Sequence, residues 1–219
     1  MAKTLLAWSS GKDSAWSLHV LRQQGVEVAG LLTTLNDAAG RVAMHGVRRE
    51  LLEAQAEAAA VPLWQIPLPW PCSNEAYEGC MAEACRRAIA EGFTEIAFGD
   101  LYLRDIREYR ERQLAESGLK PVFPLWDLPT ADLAREMIAG RLRARLACID
   151  TAALDESFAG REFDTALLND LPAKADPCGE NGEFHTFAYA GPMFNRTIPC
   201  VTGEPHRYER FLYTDLALS

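Results

Sequence analysis

The stretch LLAWSSGKDSAWSL, residues 5–18, starts as an apolar run and ends with apolar residues at helical spacing. Between them stand Ser9, Ser10, Gly11, Lys12, Asp13 and Ser14. A strand that turns through small hydroxylated residues into a helix presents unpaired first-turn amides and the positive end of the helix dipole, a natural seat for an anion. Gly11 lets backbone approach a phosphate, Ser9, Ser10 and Ser14 offer hydroxyl donors, and Lys12 adds a point charge. Asp13 cannot bind phosphate directly, so its use would be to orient neighbours or hold Mg2+. A hydroxyl-capped helix with a solvated Lys-Asp pair is the competing structural reading. The spacing is not that of the Walker loop, because Leu6 stands at the first glycine and Asp13 follows the lysine.

Working outward, apolar runs over 4–8, 26–32, 63–66, 94–98 and 121–125 read as strands. Helical spacing fills the intervals: 14–24, the series Val47, Leu51, Ala54 and Ala58 stopped by Pro62, a helix capped by Ser73 and closed by Gly92, and one around Ile106, Tyr109 and Leu114. Residues 67–71 read as a rigid proline loop. This alternation predicts an α/β fold, a parallel five-stranded sheet with helices on both faces, plus a smaller C-terminal α+β region. The division expected is 1–126 for the nucleotide side and 127–219 for a lid-like substrate side. Such sheets bind ligands beyond the carboxyl ends of their strands. Residues 9–14, Thr33 with Thr34, and Gly99 with Asp100 therefore share one rim.

After residue 126 a helix over 130–139 and a strand over 143–149 lead into loops containing DPCGENGEFHTFAYAGPMF, residues 176–194. If 184–189 is a strand, Glu183, His185, Phe187 and Tyr189 face one way. A neutral imidazole there suits deprotonation of an attacking amine, and a surface Glu-His pair is the alternative. His45 is either a helix-start residue or a contact to nucleotide or substrate. Arg107 and Arg110 either neutralise an anion or lie on a solvated helix face. The net charge of −9 disfavours a general nucleic-acid binder. The six cysteines form no C-x-x-C pair, and five read as inert, with Cys178 set apart by its polar company. No apolar run reaches the ~20 residues of a membrane span, and no signal-peptide pattern opens the chain, so a cytoplasmic protein is expected.

The loop is similar to the S-G-G-x-D-S motif of the PP-loop ATP pyrophosphatases, with Ser10 at the first glycine. Together with HGVRRELLEAQAEAAAVPL (45–63), IAFGDLYLRDIREYRE (96–111) and GENGEFHTF (179–187), it makes the chain resemble the diphthine–ammonia ligase family over its whole length. The resemblance implies the adenine-nucleotide α-hydrolase-like fold, with ATP and Mg2+ as cofactors. It also implies a reaction in which a carboxylate is adenylated, pyrophosphate leaves, and ammonia displaces AMP. By position, Ser9, Ser10, Gly11, Lys12, Asp13 and Ser14 would hold the phosphates, with Asp13 as metal ligand. Thr33, Thr34, Gly99 and Asp100 would lie near the adenosine. His45, Glu180, Asn181, Gly182, Glu183, His185 and Thr186 would face the substrate, and Lys12, Asp13, Glu183 and His185 would act in catalysis.

Histidine stands at 185 where that family carries an acid, and residues 44–48 also differ from its pattern. Both departures are on the substrate side, and the Ala- and Arg-rich composition points to a bacterial member, so an acceptor other than diphthine is expected. Partners expected are a small-molecule or protein carboxylate and ammonia, with a homodimer left open and neither membrane nor nucleic acid. Two other readings stay open: an adenylating sulfurtransferase acting on tRNA or a small molecule, and a non-catalytic ATP or AMP sensor.

Overall fold

The computed structural model of the chain describes residues 2–219. Strand β1 (Lys3–Ala7) feeds helix α1 (Lys12–Gln23) through the serine-rich loop, and α1 returns to β2 (Glu27–Asn36). The turn between them is set by Gly25 at φ +73°, a left-handed position that glycine takes without a side-chain clash. There the amides of Gly25 and Val26 donate to the carbonyls of Arg22 and Leu21, closing the helix end. The chain continues through β3 (Arg41–Val42), α2 (Arg49–Ala59), β4 (Leu63–Leu68), α3 (Asn74–Ala90), β5 (Glu95–Ala97), α4 (Arg104–Leu114) and β6 (Lys120–Val122).

Five of these strands are parallel, in the order β4, β2, β1, β5, β6. The short β3 is an antiparallel addition to Leu35 and Asn36 of β2, past the end of β1. The expected parallel sheet is therefore present, with one small strand the pattern did not suggest. Adjacent residues divide the core between the two faces: Leu6 and Leu31 pack with α1 and α2, whereas Leu5 and Leu32 pack with α3 and α4. β4 runs through Pro67 to Leu68, two residues beyond the strand expected. It is an edge strand, so the missing proline N–H interrupts no second ladder.

The remaining chain forms α5 (Thr130–Ala139), β7 (Arg143–Asp150), α6 (Thr165–Asp170), β8 (Phe184–Ala190), β9 (Cys200–Tyr208) and β10 (Phe211–Leu218). A four-stranded antiparallel sheet results, ordered β8, β7, β10, β9. The β9–β10 hairpin occupies a region that reads as loop from sequence. In β9 all residues after Cys200 are exposed, and Gly203 and Pro205 interrupt it, so no apolar alternation marks it. In β10 Leu212, Thr214 and Leu216 alternate inward. One apolar cluster runs from Leu6 and Trp8 through α1 and α2 to Leu146, Phe184 and Phe187, so β8 covers the same face of the parallel sheet as α1 and α2. Among the described residues no helix is long and apolar enough to cross a membrane.

A charged clamp adds to this contact. Asp215 on β10 accepts from Arg48 Nε at 3.0 Å and Nη2 at 2.5 Å, and from Arg41 Nη2 at 2.9 Å. The Arg48 and Arg41 guanidiniums hold its carboxyl down at about 2. A depressed carboxylate stabilises the fold above the unfolded pKa of about 4 and loses that contribution as pH falls towards 2. Asp215→Asn is expected to cost about 1 kcal/mol at pH 7, and the difference from the parent chain to shrink between pH 4 and 2. Urea titrations at the two ends of that range measure it.

Candidate active site at the carboxyl edge of the parallel sheet

Strand order reverses beside β1, with β2 on one side and β5 on the other, the position at which parallel sheets of this kind bind ligands. The loop after β1 and the Gly99 turn after β5 meet there. A Cβ built on Gly99 would lie 3.1 Å from the Asp13 carbonyl carbon and the Ser14 nitrogen, so a side chain here would press tightly on the start of α1. Ser10, at the family's glycine position, adopts φ +69° and is wholly buried. Its carbonyl accepts from Ala188 N at 2.9 Å and from Gln55 Nε2 at 2.9 Å. Ser9 Oγ lies 3.3 Å from Ser14 Oγ and accepts from Gly11 N at 3.3 Å, while Ser14 Oγ donates to Gly11 O at 3.0 Å. The hydroxyls thus close a small ring across the loop mouth.

Thr33 is turned away from this mouth: its hydroxyl donates to Trp8 O at 2.7 Å and fixes the end of β1. Thr34 is half-buried at the rim. Asp100 faces Arg110 at 3.7 Å, and burial raises its pKa despite that guanidinium. Arg107 pairs with Glu111 and lies over the rings of Phe123 and Trp126, so no contact ties it to the loop.

Lys12 points inward and is 2% exposed. Its ammonium donates to Asp13 Oδ2 at 2.8 Å and to the Cys178 carbonyl, with the rings of Phe184 and Phe163 at 5.4 and 5.6 Å. Burial opposes the charge, but Asp13 and the other acidic groups outweigh it, so the pKa is raised. Burial also raises the Asp13 pKa against the pull of Lys12. Asp13 Oδ1 is buried with no hydrogen-bond partner. The described residues contain no cluster of three or more metal-binding side chains. A single free carboxylate oxygen on this serine-rich loop still fits Mg2+, which takes few protein ligands and completes its shell with other oxygen donors and water. The Cys178 thiol, pushed up to about 12 by burial, is inert at neutral pH.

The segment before β8 is held by its own carboxylates. Asp176 Oδ1 accepts from the amides of Cys178 at 2.8 Å and Glu180 at 3.2 Å, and Asp176 Oδ2 from Thr130 Oγ1 at 2.6 Å. Glu183 accepts from Asp176 N at 2.8 Å, Asn181 N at 3.0 Å and Asn181 Nδ2 at 3.2 Å. Among the described residues no hydrogen bond or ion pair joins Glu183 to His185. Glu180 crosses to the nucleotide side, where its Oε1 accepts from Leu101 N at 2.8 Å and Tyr102 N at 3.4 Å. The Tyr102 hydroxyl donates to Asn181 Oδ1 at 3.1 Å, beside the turn at Gly182.

His185 lies against His45, ring centres 4.5 Å apart with the planes tilted by 36°, and His45 Nδ1 lies 3.4 Å from Thr186 O. Thr186 Oγ1 accepts from Lys12 N at 3.0 Å. A Cβ on Gly11 would meet His45 Cε1 at 3.1 Å and Thr186 O at 3.3 Å, which puts His45 directly over the loop, with His185 against it. Burial, helped by Lys12, lowers His185 to about 4, and burial with His185 lowers His45 well below its ordinary value. Both shifts favour the neutral imidazole.

The structure thus gathers residues 9–14, Gly99, Asp100, His45, Glu180, Asn181, His185 and Thr186 around the end of β1. It also reveals partners that sequence reasoning missed. Leu101 and Tyr102 act through backbone amides, which no residue type advertises. Gln55 carried a signal: a polar residue one helical turn after Leu51, on the apolar face of α2.

Two outcomes follow from this geometry. Ser10→Gly removes a left-handed serine and a buried, unpartnered hydroxyl. Set against the extra freedom of glycine in the unfolded chain, a net gain of about 1 kcal/mol is expected in urea unfolding. Glu180 is raised to about 7 by burial, so its stabilising contribution is complete below pH ~4.5 and is lost as pH rises through 7. The fall in the urea midpoint between those values should be smaller in Glu180→Gln; an equal fall contradicts this environment.

Sequence profiles of the diphthamide synthase N-terminal and C-terminal domains match residues 2–121 and 129–216. The human diphthine–ammonia ligase is 25% identical over 238 aligned positions, covering 93% of this chain and 88% of that one. The rat enzyme is 24% identical, covering 90% and 82%. A solved structure described as a predicted subunit of tRNA methyltransferase from Methanocaldococcus jannaschii aligns with TM-score 0.46 at 15% identity, over 88% of this chain and 98% of that one. That last likeness is too slight to bear on function. With both profiles matched in order across nearly all its length, the chain belongs to the diphthamide synthase family.

Proposed function

We propose that the protein is an ATP-dependent ligase that adenylates a carboxylate and transfers ammonia to it, forming an amide. The observation that carries this reading is the junction of two elements. A serine-rich loop with a left-handed Ser10 lies at the strand-order switch, and β8 brings His185 against His45 beside it. The Asp13 and Ser14 amides of α1 and the hydroxyls of Ser9 and Ser14 would hold the ATP phosphates, with Lys12 supplying positive charge from behind the loop. Asp13 Oδ1 would hold Mg2+, which screens phosphate charge when bound. The acceptor carboxylate attacks the α-phosphorus as the bond to the departing pyrophosphate breaks. Ammonia then attacks the acyl carbon, AMP leaves with the electron pair of the broken acyl–oxygen bond, and the proton lost from nitrogen passes to water. A neutral imidazole nitrogen of His185 accepts a hydrogen bond from ammonia and orients its lone pair. Glu183, saturated by its own loop, shapes the Asp176-to-Glu183 segment instead of touching substrate. The curated relatives are named for diphthine, but the acceptor here is proposed only as a carboxylate, because His185 and residues 44–48 differ on that side.

The test is purified protein with α-labelled ATP, Mg2+ and 15N-ammonium against pooled metabolites and protein extract. AMP and pyrophosphate in equal amounts, with 15N in an amide, are expected. ADP with phosphate overturns the reading, and AMP release that needs a sulfur donor in place of ammonium points to sulfur transfer. Lys12→Ala should weaken both ATP affinity and turnover. His185→Ala should leave ATP affinity within about twofold and lower turnover about 10²-fold or more.

A further inference from the structure

Gln55 lies in the middle of α2 with no exposed surface. Its Nε2 donates to Ser10 O at 2.9 Å and to Ala188 O at 2.5 Å, and its Oε1 accepts from Trp8 Nε1 at 2.9 Å. An indole nitrogen can only donate, so Trp8 determines which end of the amide is oxygen and leaves the NH2 for the two carbonyls. The amide therefore joins three pieces of chain: the end of β1, the loop at Ser10, and β8 at Ala188. It does so at the one loop residue whose backbone is strained, a non-glycine held at φ +69°. Ala188 N donates to the same Ser10 oxygen, so the strained peptide is gripped from two sides.

We propose that Gln55 is a positioning residue for the phosphate loop, holding Ser10 in its left-handed conformation and setting the loop's height against β8. This rests on the nucleotide reading above. Gln55 touches neither nucleotide nor substrate; it acts through Ser10. Its removal should therefore damage recognition of phosphates specifically, and the damage should depend on whether residue 10 needs to be held. Glycine adopts the left-handed region freely, so a Ser10→Gly background relieves the requirement.

The experiment is calorimetric titration of Mg·ATP and of adenosine into the parent chain, Gln55→Met, Ser10→Gly and the double variant. Expected is a loss of ATP affinity of about tenfold in Gln55→Met, with adenosine affinity within about twofold, and a loss under about threefold when Gln55→Met is added to Ser10→Gly. Unchanged ATP affinity overturns the proposal. So does an equal loss for ATP and adenosine, which marks a structural role alone, or an equal loss in both backgrounds. Should Gln55→Met fail to fold, Trp8→Phe, which keeps the amide but frees it to turn, replaces it: a selective loss of ATP affinity supports the proposal and an unchanged one overturns it. A parent chain that binds adenosine but no ATP, or neither, overturns the nucleotide reading and this inference with it, before any variant is compared.

Discussion

The grip on the Ser10 carbonyl is the constraint on which the rest of the site depends. Ala188 N and Gln55 Nε2 both donate to it, and both come from elements far away in sequence. A buried carbonyl with no partner is costly, and a left-handed serine carries strain of its own. Neither would persist unless α2 and β8 arrived with the right donors. Once they do, Lys12 N reaches Thr186 Oγ1, and the turn between strand and helix acquires one geometry. The loop that looks like a local feature is held from outside.

The same contact brings β8 over the parallel sheet and so assembles the chemistry. Acidic groups outnumber the ammonium among them: Asp13, Asp176 and Glu180 all act on the region around Lys12. Burial then decides each protonation state. It favours the neutral imidazole at His185 and His45, lifts Glu180 towards neutrality and silences the Cys178 thiol. Asp176 and Glu183 escape an acceptor role towards ligand because backbone amides saturate them. Carboxylates of equal chemical type thus divide into those that build the loop and those left at the end of β1.

Much of this was legible in residue order. Period-two and period-3.6 patterns place β1, α1, β2, α2 and α5 to within a few residues, because one face of each meets a core and must be apolar there. The rim residues 9–14, Gly99 and Asp100 follow from the general rule for parallel sheets, with no knowledge of contacts. The β9–β10 hairpin was not legible, since β9 is exposed along nearly its whole length and so carries no alternation. Pairing Glu183 with His185 by strand alternation also did not survive. The strand begins at Phe184, and a residue before it turns to satisfy its own loop.

By itself the sequence determined the α/β class, the serine-rich turn from strand to helix and the convergence of polar residues on one sheet edge, because these depend on local periodicity and chain chirality. Only the tertiary structure decided which way the side chains point. Lys12 goes inward to the Cys178 carbonyl, Thr33 goes to Trp8, and His185 goes to His45. The physical reason is desolvation: a buried donor must find an acceptor wherever packing leaves one, and that acceptor is supplied by residues up to 174 positions away in the chain.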